Sequence, residues 1–233
     1  MKINGKRIMA SNRIKKNNDS MSRSAMRRQR EREYRCRTIL SAAESLFARD
    51  GYHQTGMEKI ADKAEMSVGA VYFYFKNKED LLVNMIEDIG DLLRRILADA
   101  FERYGASMEG FKQAGYAFFD DFCINYPEKV AIVFRESVGQ GPEVEEKRKE
   151  IFDKLNRDVS IALHRASEKE GVDFSSRYAA EVITVSILGI YERVAYHYLF
   201  WKRDTENLKQ IGRDAVAFIL GGINNLFGEN RCS

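Results

Sequence analysis

Apolar residues recur at helical spacing along most of the chain, and only two prolines interrupt its 233 residues. The expected architecture is all-α, with about nine helices. Residues 55–78 hold the tightest pattern. Thr55 stands three residues before Glu58, the spacing of a capping box, which predicts a helix start near Met57. Ile60, Ala61 and Ala64 give this helix a narrow apolar face; Glu65, Met66 and Ser67 break it, and Ser67 suits the cap of a second helix from Val68. Val71 and Phe75, four apart, share the face that can pack on Ile60 and Ala64. Tyr72, Phe73 and Tyr74 then point elsewhere. Asn77 is expected to cap the following helix, with Asp80 at its third position.

Leu81, Leu82, Met85, Ile89, Leu92, Leu93, Ile96 and Leu97 carry that following helix to about Tyr104. Ser107 begins another through Phe111, Tyr116, Phe119 and Phe122, stopped near Tyr126 by Pro127, and Pro127 fits the first turn of a short helix to about Val138. Gly139 to Pro142 is the clearest break in this half. A charged helix over about 143–170 follows, with Ile151, Phe152, Leu155, Val159 and Leu163 on its buried face and Gly171 at its end. Asp173 is expected to cap a helix over about 174–203, and Thr205 a last one over about 206–227. The stretch 182–200 is apolar on nearly every side, and Gly212, Gly221 and Gly222 in the last helix allow close helix contact. A homodimer through these last two helices would cover both faces; a large internal core is the alternative.

Charge is segregated along the chain. Residues 1–37 hold thirteen Lys plus Arg against three Asp plus Glu, a net of +10, while the whole chain is only +3. The remaining residues therefore net −7. A basic end on a mildly acidic body favours a polyanion at that end. Arg27, Arg28, Arg30, Arg32, Arg35 and Arg37 lead into the first helix. Residues 1–26 are expected to form a basic, disordered arm, for which a plain solubilising tail is the bland reading. Met1, Met21 and Met26 are all candidate starts. No apolar stretch follows the early lysines, so a signal peptide is not expected.

Cys36, Cys123 and Cys232 are scattered, odd in number and without metal-ligand spacing, which suggests a reducing cytoplasm and no metal or cofactor. The longest apolar run, 182–191, is about half the roughly twenty residues that cross a bilayer, so no membrane span is expected. Catalysis is not expected either. His53, His164 and His197 sit on separate segments with no nucleophile elbow or phosphate loop, and the His164–Glu168 spacing on a charged helix is that of a solvated pair.

The short helix from Val68 is roughly 10 Å long, a match for a DNA major groove about 12 Å wide. Residues 37–82, RTILSAAESLFARDGYHQTGMEKIADKAEMSVGAVYFYFKNKEDLL, resemble the DNA-binding region of the tetracycline-repressor (TetR) family of bacterial transcriptional regulators. The marks are the first helix through Leu46 and Phe47, the Gly51-Tyr52 exit, Thr55, the aromatic run ending in Phe75, and Lys78.

The resemblance implies a helix-turn-helix domain over 27–77 and a helical effector-binding and dimerisation domain over 78–228. It implies a homodimeric repressor in the bacterial cytoplasm, at the nucleoid, released from a palindromic double-stranded operator by a small-molecule effector. An activator of the same fold, or a helical scaffold without DNA function, is the alternative. Arg27 and Arg28 would lie beside phosphates, and Thr55 and Lys78 would contact phosphates from helix starts. Tyr72 and Tyr74 would offer hydroxyls to the backbone, Tyr72 also touching bases, while Ser67, Val68, Gly69, Ala70 and Phe73 would face the groove. That set is poor in Arg, Gln and Asn, so readout would lean on thymine methyls, main-chain contacts and DNA shape. Plain core packing is the alternative for Tyr72 and Phe73. In the body, Tyr116, Phe119, Phe122 and Phe134 are candidate walls of a cavity for an apolar or amphipathic effector, with Arg193 and His197 as candidate polar contacts.

Overall fold

Nine α-helices account for most of residues 22–226, the part of the chain that the computed structural model describes. They are α1 (Arg23–Asp50), α2 (Met57–Lys63), α3 (Val68–Tyr74), α4 (Lys78–Tyr104), α5 (Met108–Ala117), α6 (Pro127–Ala131), α7 (Pro142–Glu170), α8 (Ala179–Tyr196) and α9 (Leu208–Leu226). Three run on into π-helical turns: α5 into Phe118–Cys123, α6 into Ile132–Glu136 and α8 into His197–Lys202. The expectations for the arm over 1–21, with the starts Met1 and Met21, fall outside the described residues, as does Phe227. Met26 lies within α1.

Most ends follow the local chemistry of their residues. Ser22, Ser67, Asn77 and Ser107 each accept a backbone N–H from the residue three further on, at 3.2, 3.2, 2.7 and 3.2 Å. Asp80 returns the favour by accepting Lys76 N–H at 2.9 Å. Pro127 and Pro142 open α6 and α7, and Gly171 closes α7 in the left-handed conformation. Because Ser22 caps α1, residues 23–26 are helical, where the sequence suggested an arm.

Three expected caps are absent. The residue that caps α2 is Gly56, without a side-chain bond, because Thr55 turns inward: it is buried, and its Oγ1 donates to Gly51 O at 3.0 Å. Asp173 caps nothing, since α8 starts only at Ala179. Ser175 N–H donates to Leu226 O and the Phe174 ring lies 5.2 Å from that of His164, which ties this segment across the body. Thr205 is replaced by Asp204, whose Oδ1 accepts Asn207 N–H at 3.2 Å ahead of α9.

The buried apolar side chains form one continuous cluster from Ile39 in α1 to Ile223 in α9, so the head made by α1–α3 and the body share their packing. Helix α4 runs through both, burying Leu81 and Leu82 at the head and Leu93 deep in the body. Helix α8 buries Ile183, Ile187 and Tyr191 but leaves Val182 and Val185 about half exposed, and α9 leaves Phe218 exposed.

Candidate nucleic-acid interface and body cavity

Helix α3 has two faces. Val71 is fully buried and Phe75 nearly so, in the cluster that holds Ile60, Ala61 and Ala64 of the α2 segment. The opposite face presents Phe73 at 77% exposure, Tyr72 at 48% and Val68 at 36%. Plain core packing therefore does not account for Tyr72 and Phe73. Gly69 adjoins open space, and Ser67 and Ala70 sit at the same exposed end, joined by the capping bond. Tyr74 is half-buried, its ring edge-on to Phe73 at 5.1 Å. Glu65 reverses the chain between α2 and α3 in left-handed backbone, φ 55°.

Arg27 and Arg28 are exposed on α1. Further along, Arg35 pairs with Glu31 at 2.9 Å and Arg37 with Glu33 at 3.8 Å, which tempers the charge of the helix. Two expected phosphate contacts stand elsewhere. Thr55 is 1% exposed and its hydroxyl is spent on Gly51. Lys78 Nζ donates to Tyr52 O at 2.8 Å and lies 4.1 Å over the Tyr52 ring, and burial lowers its pKa. The resemblance implies phosphate contacts for both, and both are held by the loop between α1 and α2.

That loop and the end of α1 before it are also gripped from the body. Glu136 Oε2 accepts Tyr52 N–H at 2.7 Å, Arg135 Nη2 donates to Ala48 O at 3.1 Å, and Lys129 pairs with Glu44 at 2.5 Å. All three body residues come from α6 and its π-helical end, so one short segment fixes the head to the body. Partners 84 to 87 positions apart carry no sequence signal that could have shown this.

The body encloses a cavity of about 450 Å³ among α4, α5, α7, α8 and α9. Its walls are apolar, with Leu93, Leu97, Phe101, Phe118, Val159 and Ile187 among them, and Arg94, Glu102, Asp158 and Arg165 stand at its edge. Arg94 pairs there with Asp158 at 2.7 Å. None of Tyr116, Phe119, Phe122, Phe134, Arg193 and His197 lines it. Phe118 takes the wall; one helical residue turns the side chain by about 100°, which sends Phe119 into closed core, and Phe122, its ring 6.0 Å from that of Phe118, is fully buried behind it. Phe134 sits behind, its ring 6.5 Å from Phe118. Tyr116 lies in a separate cleft under the Arg213 guanidinium, 3.7 Å from its ring. Arg193 stacks on Trp201 at 4.1 Å, and His197 meets Tyr198 and Trp201 edge-on at 5.0 and 5.6 Å. Among the described residues no helix is long and apolar enough to cross a membrane.

Residues 39–85 match the family model of the tetR family of bacterial regulatory proteins. The chain is 41% identical over 66 residues to the fatty acid metabolism regulator protein of Bacillus subtilis, 28% of this chain and 34% of that protein. It is 28% identical over 143 residues to the transcriptional activator FasR of Mycolicibacterium smegmatis, 58% of this chain and 65% of that one. The matches thus span less than two thirds of these curated relatives. The fold is similar to that of FadR from Bacillus subtilis, crystallised in complex with stearoyl-CoA, at a TM-score of 0.70 and 22% identity, covering 79% of this chain and 97% of that one. The matched segment, running from α1 through α3 into α4, is thus similar to the DNA-binding region of the tetR family of bacterial regulatory proteins, and the likeness to FadR extends the same fold through the body.

Proposed function

We propose that this chain is a sequence-specific DNA-binding transcriptional regulator that acts as a homodimeric repressor in the cytoplasm, at the nucleoid. The observation that carries the reading is α3, which keeps Val71 and Phe75 inward while exposing Val68, Tyr72 and Phe73. An aromatic at 77% exposure loses hydrophobic free energy in the free protein, and a helix of this length can recover it against a groove. Tyr72 and Tyr74 hydroxyls and Arg27 and Arg28 supply backbone contacts, while Ser67, Val68, Gly69, Ala70 and Phe73 face base edges. Thr55 and Lys78 act at one remove, by holding the head in shape.

The helix-turn-helix head covers 23–77 and the effector-binding and dimerisation body begins at Lys78. The dimer forms through α8 and α9, where Val182, Val185 and Phe218 are exposed and Gly189, Gly221 and Gly222 adjoin open space. Two heads then address a palindromic operator. The body cavity holds the effector, a small amphipathic molecule whose apolar part fits the walls and whose polar end meets the charged edge. The likeness in fold to a FadR that holds stearoyl-CoA supports this chemistry.

A second reading, transcriptional activation, is favoured by the relative FasR, which is named as an activator. Binding to DNA upstream of the chain's own and neighbouring genes, measured across a salt series, tests the first claim. Specific protection that disappears in Tyr72→Ala is expected, whereas equal affinity for random DNA without any added ligand would sink it. Transcript levels with and without the protein then separate repressor from activator.

A further inference from the structure

The Tyr191 hydroxyl is a polar group that the packing around it does not use. Tyr191 is 6% exposed and lines the body cavity. Its ring stacks on Phe118 at 5.5 Å and 21° and meets Phe119 edge-on at 5.4 Å, so the ring belongs to the aromatic core. No hydrogen-bond partner reaches its Oη among the described residues. The hydroxyl fits only because residue 115 is glycine: a Cβ there would come within 2.4 Å of Oη. Burial raises its pKa, so it remains a protonated donor. A phenylalanine would fill the same aromatic slot without bringing a hydroxyl to the cavity lining. The remaining walls, such as Leu93, Leu97, Phe111 and Ile219, are apolar, the charged residues stand at the edge, and the Tyr116 phenol, within electrostatic reach of Tyr191, lies in the separate cleft.

We propose that Tyr191 Oη donates a hydrogen bond to an oxygen within the apolar part of the cavity's ligand, so that the cavity selects an amphiphile whose chain carries a hydroxyl or carbonyl over the plain saturated chain. This rests on the cavity being the effector site. Tyr191 is then a specificity-determining residue, and Gly115 supplies its room. A pocket built around a polar group discriminates against the ligand that lacks its partner more sharply than an apolar pocket discriminates by size.

The test is calorimetric titration of the full-length protein, wild type and Tyr191→Phe, with stearate and with monohydroxy- and mono-oxostearates oxygenated at successive positions. In the wild type at least one oxygenated chain is expected to bind roughly 5- to 150-fold more tightly than stearate, about 1–3 kcal/mol. In Tyr191→Phe that preference should vanish while stearate binds at least as well as before, with an unchanged melting temperature. Stearate binding as well as every oxygenated chain overturns the proposal, because a bridging water then satisfies the hydroxyl. A preference that survives in Tyr191→Phe overturns it too. Failure of every chain to bind overturns the cavity reading itself, and this inference with it.

Discussion

Glu136 Oε2 lies 2.7 Å from the backbone N–H of Tyr52, joining the end of the α6 segment to the turn that leaves α1. Its other oxygen accepts Arg135 Nε at 2.5 Å, and Arg135 reaches on to Ala48 O while its guanidinium lies 4.9 Å over the Phe200 ring. The head is held by side chains that belong to the body. Glu136→Ala leaves the Tyr52 amide without its charged acceptor and should cost about 1–3 kcal/mol of stability. Amide hydrogen exchange at Tyr52 should quicken and specific DNA affinity fall several-fold, with the exposed side chains of α3 intact. Unaltered exchange at that amide would rule the joint out.

The two faces of α3 predict opposite phenotypes. Phe73→Ala removes an exposed ring and should shift stability within about 0.5 kcal/mol while specific DNA binding is lost. Ile60→Ala hollows the cluster beneath α3 and should cost about 2–5 kcal/mol. Thermal melts and fluorescence anisotropy on operator DNA, run on both variants, distinguish reading from packing. A Phe73→Ala protein that unfolds early would return this ring to the core.

Phe218, exposed on α9, is the side chain whose replacement should test the dimer most cleanly. Phe218→Asp places a charge where a partner subunit would bury the ring, and an unpaired charge there is strongly disfavoured. Sedimentation equilibrium should show a monomer, and operator affinity should drop with it. A variant that still sediments as a dimer would move the interface away from α9.

Glu150 sets an acid limb. Hydrogen bonds from Lys147 and Lys154, at 2.8 and 2.6 Å, lower its pKa from 4.5 to about 2. A carboxyl whose folded pKa is depressed binds its proton more weakly in the folded state. Its contribution is therefore whole above about pH 4.5 and fades as pH falls toward 2. Lys147 also reaches Glu87 of α4 at 3.2 Å, so the cluster ties α7 to α4. Stability between those pH values should depend less on pH in Glu150→Gln, and the difference should shrink in high salt because the cluster is exposed. Identical acid limbs for both proteins would dismiss the cluster.

The sequence by itself determined what is local. Helix period and capping chemistry act within four residues, so Ser67, Asn77, Ser107, Pro127, Pro142 and Gly171 marked real boundaries, and Val71 and Phe75 identified the buried face of α3. That face also told which aromatics remained outside, which is why the exposed side of α3 was legible in the sequence. Thr55 misled because a capping spacing is also satisfied by a side chain that turns back to Gly51. Tertiary structure decided the rest. Whether Phe118 or Phe119 faces the cavity depends on one residue of rotation in a segment that passes from α- into π-helix, and a periodic pattern of adjacent aromatics cannot set that phase. Arg193 stacks on Trp201 further along the same helical run, where its sequence position alone did not place it, and Lys78 is drawn in by Tyr52 through a contact that exists only once the α1–α2 loop meets α4. The bond from Glu136 to Tyr52 spans 84 positions, and the chain records such a pair only by folding.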